Sequence, residues 1–420
     1  QRVGKFVPFT NNGTIANSCI FNNVTSGAGH YLRKASMSAG NQQVATFSAW
    51  IKFTGPFSTS SDLFTNNGGI LEQGNGNWSS TAHFMFWQTR GRLAVYHNGT
   101  NILITNRYLH DSSKWYHVML VLDVTQTDAS DRCKIYIDGD EVTSFSTDNR
   151  TSLTKDTDLT YINASGQELN VGGMPSGNGY QDLNCYMAEV NYVDGTALGP
   201  STFGVTDTST GRWIPKTLSG ITYGTNGFRL EFGDSSALGD DTSGNTNDFT
   251  ATNLASTDQN NDSQKQNHNN IRKNKNGGTS VAEGNLETTT PGSGSGYMQI
   301  IGQPGFGISS GKVYWEVTID TKGTTGYGWK HDDNAGGSQA VTSGEMGVVF
   351  CVGSSGGLTD GEWDVDFSTG SSEFTFATAS ATDVLMFALD LDNRKGYLGK
   401  NGTWYNSADP VNGTGSIGLG

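Results

Sequence analysis

Apolar residues in this chain come in short runs of period two, broken every few residues by glycine, asparagine or aspartate, and no run sustains a helical period. In the run from Ala45 to Phe53 the alternation puts Phe47, Ala49, Ile51 and Phe53 on one face, the pattern of a half-buried strand. The run from Trp115 to Asp123 is apolar on both faces, which marks a strand inside a sheet. From Ile135 to Val142 two short strands flank Asp138-Gly139, and this pair supplies the positive φ angles of a two-residue hairpin turn. Further strands are expected at 82–88, 92–97, 167–172, 186–193 and 228–232. Glycine supports this reading: 57 of the 420 residues are Gly, and each one inside a helix would cost ~1 kcal/mol relative to Ala. The chain is therefore expected to be all-β, built as two β-sandwiches joined by a polar linker.

The linker is expected at 256–278, where Asn, Gln, Ser, Lys and Asp replace almost every apolar residue. It holds the one basic cluster, Lys265, Arg272, Lys273 and Lys275, with no aromatic residue among them to stack on a base. With a net charge of −14, nucleic acid and anionic membrane surfaces are poor partners, and no apolar run reaches the ~18 residues of a membrane-spanning helix. Strand signals resume at 281–288 and continue through 312–319, 344–352 and 384–390 to a hairpin turning at Asn401-Gly402. The four cysteines, Cys19, Cys133, Cys185 and Cys351, are too dispersed for a zinc site and read as small buried hydrophobes, with Cys133 and Cys185 the one pair worth testing for a bridge. The chain opens at Gln1 with no signal-peptide pattern, as a processed or partial piece of a longer protein would.

Three motifs in order, Trp115-Tyr116-His117-Val118, Lys134-Ile135-Tyr136-Ile137-Asp138-Gly139 and Met187-Ala188-Glu189-Val190-Asn191-Tyr192, resemble the laminin-G-like, concanavalin A-like jelly-roll domains. The resemblance implies a jelly roll over 1–255. Phe228–Phe232 and Asp241–Asp248 are similar to the segment that usually opens such domains, which implies a circularly permuted sandwich. From 279 to 420 the chain resembles the SPRY family through Gly311-Lys312-Val313-Tyr314-Trp315-Glu316-Val317 and Ala388–Asn393, followed by Gly399–Trp404; the final strand of that family is expected to be missing at Gly420. The tandem is similar to virion proteins of environmental bacteriophages, implying a multimeric protein of the virion or its appendages, located on the particle and outside the cell.

Chemistry-bearing residues are sparse. Glu362-Trp363-Asp364-Val365-Asp366 approaches the paired-carboxylate strand of glycosidases, but its third acid is the shorter Asp and it lies outside the laminin-G-like half. His117 is expected to pack at the edge of its sandwich rather than to bind a metal. Asp241, Asn245, Asn247 and Asp248 crowd oxygen atoms onto a Gly-containing turn, which suits Ca2+ as the resemblance implies and equally suits an Asx-rich turn bonded to its own backbone. Trp78, Trp329 and Trp363 lie among Gly, Asp and polar residues and are expected on loops, where aromatic planes stack against sugars. The expected function is non-enzymatic binding of host surface polysaccharide or other virion proteins. A purely structural decoration or fibre role and a glycoside hydrolase are the alternatives.

Overall fold

The computed structural model describes residues 15–21, 29–54, 67–74, 83–89, 91–109, 111, 114–173, 183–208, 211–264, 270–272, 280–282, 287–289, 299–301, 311–320, 325–330, 347–352, 362–364, 374–375 and 378–418. It divides into two compact units, 1–271 with 281–288, and 272–280 with 289–420. Among the described residues there is no α-helix, only strands and three-residue 3-10 turns, so none crosses a membrane as a helix.

The strands of the first unit up to Asn260 are β1 (Ser18–Phe21), β2 (Tyr31–Lys34), β3 (Val44–Phe53), β4 (Asn67–Gly74), β5 (His83–Thr89), β6 (Arg92–His97), β7 (Thr100–Thr105), β8 (Tyr116–Asp123) and β9 (Cys133–Ile137). They continue with β10 (Asp140–Glu141), β11 (Phe145–Asp148), β12 (Glu168–Val171), β13 (Cys185–Asp194), β14 (Gly204–Thr206), β15 (Trp213–Pro215), β16 (Phe228–Leu230), β17 (Thr250–Thr252) and β18 (Gln259–Asn260). One sheet runs β10-β9-β8-β3-β13-β1-β18 with β16 also on β13, and the other runs β11-β7-β6-β5-β4-β12-β2-β17. The closing strands β16, β17 and β18 thus pair with β13, β2 and β1, so the end of this unit lies beside its beginning.

Between the sheets lies one apolar core. Phe47, Ala49, Ile51 and Phe53 of β3 enter it as the alternation requires, with Val118, Leu120 and Leu122 of β8 beside them. Because β8 is apolar on its other face too, the outer side of this sheet carries a second layer: Met119, Val121 and Val193 pack under Phe203 and Tyr223, and Trp50, Trp115 and Tyr186 lie under Ile15 and Trp213. The Asp138-Gly139 turn has φ of 55° and 87°, and a Cβ at Gly139 would stand 2.6 Å from the Trp213 ring, so glycine is needed there for both conformation and space. Cys19, Cys133 and Cys185 are buried free thiols, and no Cys133–Cys185 bridge forms.

The expected tether does not begin at Ser256. Gln259–Asn260 pairs with β1, and Asp262 is fully buried against Lys52, also fully buried, at 2.8 Å. The second Asp262 carboxylate oxygen accepts the Trp115 indole N–H at 3.0 Å, and Ser18 Oγ donates to its carbonyl at 2.5 Å. A lysine taken out of water needs a counter-charge, and the polar segment supplies it. Composition alone reads such a stretch as solvated.

In the second unit, taken by itself, Lys312–Thr318 pairs with Val384–Asp390, which pairs with Lys395–Lys400 and so with Thr403–Trp404 through the Asn401-Gly402 turn (φ 50° and 80°). Ile417–Gly418 lies on the same sheet, and a second sheet orders Thr325–Lys330, Gly347–Val352, Glu362–Asp364 and Phe374–Thr375.

Candidate functional site

His117 and the Asp241 turn each meet a specific packing. His117 is fully buried. The Trp213 indole can only donate, so Nδ1 at 3.1 Å is an acceptor, and the ring's single proton sits on Nε2, donating to Ser48 Oγ at 2.8 Å. Desolvation lowers its pKa to about 3. A histidine that donates to the serine beside it is no base for that serine. It is a neutral packing residue, fully buried on an interior strand and not at the sandwich edge.

The Asp241 turn is bonded to itself. One carboxylate oxygen of Asp241 accepts the backbone N–H groups of Arg229 (2.9 Å) and Ser243 (2.8 Å), and the other accepts Asn247 N–H (2.8 Å) and Ser243 Oγ–H (2.9 Å). Asp248 accepts Asp241 N–H at 3.0 Å, while the Asn245 and Asn247 amides donate to the carbonyls of Gly224, Thr225 and Gly227. The four acceptor positions of Asp241 are filled, and the asparagines turn donors inward, so these residues do not fit a calcium ion, which needs six to eight free oxygens. Among the described residues no three His, Cys, Asp or Glu side chains gather as a metal site. Chelator is therefore expected to leave the melting midpoint unchanged, whereas Asp241→Ala, which strips four donors of their acceptor, lowers unfolding stability by about 2 kcal/mol in urea titration.

A cavity of about 290 Å³ lies nearby, with Glu189, Glu231, Asp234 and Asp240 in its walls. Glu189 stands on a β-bulge of β13 at φ 50°. Arg229 bonds it at 2.6 and 3.1 Å and bonds Glu231 at 2.8 Å, so these two carboxylates share one guanidinium rather than opposing each other as acid and nucleophile. Asp234 accepts from its own Ser236.

Of the three tryptophans expected on loops, Trp78 lies outside the described residues. Trp329 and Trp363 lie in strands, paired with Val348 and with Phe350 and Phe374, so their loop placement is corrected. Both sit in short strands whose glycines and acids mimic loop composition. Glu362 and Asp364 share the strand with Trp363, and Asp366 falls outside the described residues.

Sequence reasoning missed two aromatic residues that are exposed among the described residues. Tyr108, in the loop after β7, is 52% exposed, and Tyr314, on Lys312–Thr318, is 51% exposed. The Arg92 guanidinium lies 5.5 Å from the Tyr108 ring centroid. The Tyr314 hydroxyl donates to Glu316 two residues on, and the Trp404 ring meets Tyr314 edge-on at 6.2 Å, seated against Gly399. The exposed pattern of alternate residues along Lys312–Thr318 was the available signal for Tyr314.

The first unit has the concanavalin A-like lectin fold: residues 26–180 match the family model described as Concanavalin A-like lectin/glucanases superfamily. Similar solved structures include a heptameric SAP-like pentraxin of Limulus polyphemus, 16% identical over 44% of this chain and 79% of the pentraxin, with a TM-score of 0.32. Domains LG4-5 of the mouse laminin α1 chain are 10% identical over 94% of this chain and 78% of theirs, also at 0.32. No curated protein matches the chain.

Proposed function

We propose that this chain is a non-enzymatic glycan-binding protein of a virion or surface appendage, its second unit a SPRY-like sandwich. The observation that carries the reading is the pair of half-exposed aromatic rings, Tyr108 on the first unit and Tyr314 on the second, each set beside charged groups. A pyranose stacks its C–H face on such a ring while neighbouring polar groups bond its hydroxyls. Trp78, Trp329 and Trp363 are further candidate stacking positions. The virion setting rests on the tandem-domain resemblance and extends to neighbouring virion proteins as partners. Many copies on a particle would turn weak single-site binding into firm attachment.

On a glycan array the intact protein is expected to bind a subset of host polysaccharides, with Tyr108→Ala and Tyr314→Ala each weakening retention by about tenfold, the share of one stacked aromatic ring. Binding to purified particle proteins with every glycan ignored would overturn the glycan reading in favour of a structural role. Antibody against the chain should decorate intact particles.

A further inference from the structure

The geometry points to an acidic sugar as the ligand at Tyr108, its carboxylate or sulfate group held by Arg107 and Lys114 while its ring stacks on the tyrosine. The inference deepens the glycan-binding reading and rests on it.

Arg107 is the residue that decides the class. Its side chain is 43% exposed, and among the described residues its one ion-pair partner is Asp138 at 3.6 Å, beyond hydrogen-bond length. That Asp138 oxygen already holds Lys114 Nζ at 2.7 Å, and the other accepts the His117 backbone N–H at 3.0 Å. Arg107 is thus left with a fork of donors matched to a carboxylate or sulfate. Lys114, 44% exposed, lies beside it, and Arg92 lies against the Tyr108 ring. Three cations here face two carboxylates, Asp138 and Asp111, the latter acting on Tyr116 and Lys52 as well. Among these described groups the cations outnumber the carboxylates by three to two on a chain whose net charge is −14, the polarity an anionic ligand requires.

The loop is also set before any ligand arrives. Asn106 donates its backbone N–H to Ser144 O at 3.0 Å and its amide to Ser144 Oγ at 2.8 Å, and Thr105 Oγ donates to Arg107 O at 2.9 Å. Leu109 is fully buried, with its N–H on Gly91 O. Tyr108 and Arg107 therefore project from a backbone pinned on both sides, and little ordering cost remains for binding.

The test is retention of the full chain on beads carrying polygalacturonate (carboxylate only), dextran sulfate (sulfate only) or unmodified dextran. Wild-type protein is expected on one or both acidic supports and not on dextran, the two acidic arms showing which group is held. Arg107→Gln and Tyr108→Ala should each weaken acidic retention by about 10- to 100-fold with an unchanged melting midpoint, while Lys155→Gln, a distant exposed cation, has no effect. Equal retention on dextran would overturn the acidic specificity and leave glycan binding standing. Acidic retention unchanged in Arg107→Gln, or lost as much in Lys155→Gln, would overturn the site. Retention on none of the supports would overturn the acidic inference, and glycan binding itself falls only if the array is blank as well.

Discussion

Asp262→Ala is expected to destabilise the first unit by about 3–5 kcal/mol, because it removes the carboxylate that the buried Lys52 ammonium contacts at 2.8 Å and the acceptor of the Trp115 indole. The Lys52 side chain is fully buried, so it cannot recover by reaching water without opening the sheet above Tyr186. Burial already works against its charged form, lowering its pKa, while the Asp262 carboxylate opposes that shift. Replacing both partners with apolar residues of similar size, Lys52→Met with Asp262→Leu, should restore most of the loss, since the cost comes from the buried charge left behind and not from a missing attraction. Urea unfolding followed by tryptophan fluorescence measures all three proteins. A single variant within 1 kcal/mol of wild type would show that residues 256–264 are the solvated tether their composition suggests.

Acid should loosen the same unit through His117. The imidazole titrates near 6.5 in the unfolded chain and at about 3 when folded, so between those values the unfolded state holds a proton that the native state does not. Stability is therefore fully present above pH ~6.5 and is lost as the pH falls toward 3, at ~1.4 kcal/mol per pH unit, which amounts to about 3 kcal/mol by pH 4. His97, lowered to about 4 by burial, adds a loss of the same sign. Gln at position 117 offers an N–H to Ser48 and a carbonyl to Trp213 without titrating, so His117→Gln should flatten the profile of unfolding free energy against pH by about that amount. Parallel profiles for the two proteins would mean that His117 is already charged in the fold, or reached by water.

What the sequence made legible was local. Period two placed Phe47, Ile51 and Phe53 on one face, which is the core face, the two-faced run at 115–123 announced a strand inside its sheet, and both Asx-Gly turns took their positive φ angles. The strands that escaped were short or polar, such as β1, β17 and β18, whose partners lie 160 or more residues away. Their pairing depends on tertiary position, and no local period encodes it. The same holds for polar clusters. Asp194, at the end of β13, joins Asn41, Asn163 and Asn226 from three other segments into one hydrogen-bonded network, and nothing in the sequence links these four residues. Tyr108 escaped notice because one tyrosine among Asn, Arg and Leu has no periodic signature. Its exposure follows from Leu109 pointing inward beside it.

The central claim, binding without turnover, is tested most directly by incubating the full chain with the polysaccharides it retains and measuring new reducing ends alongside bound protein. Saturable retention with no reducing ends released over many hours is the predicted result. Reducing ends that accumulate with time, and disappear in Glu362→Gln, would contradict it.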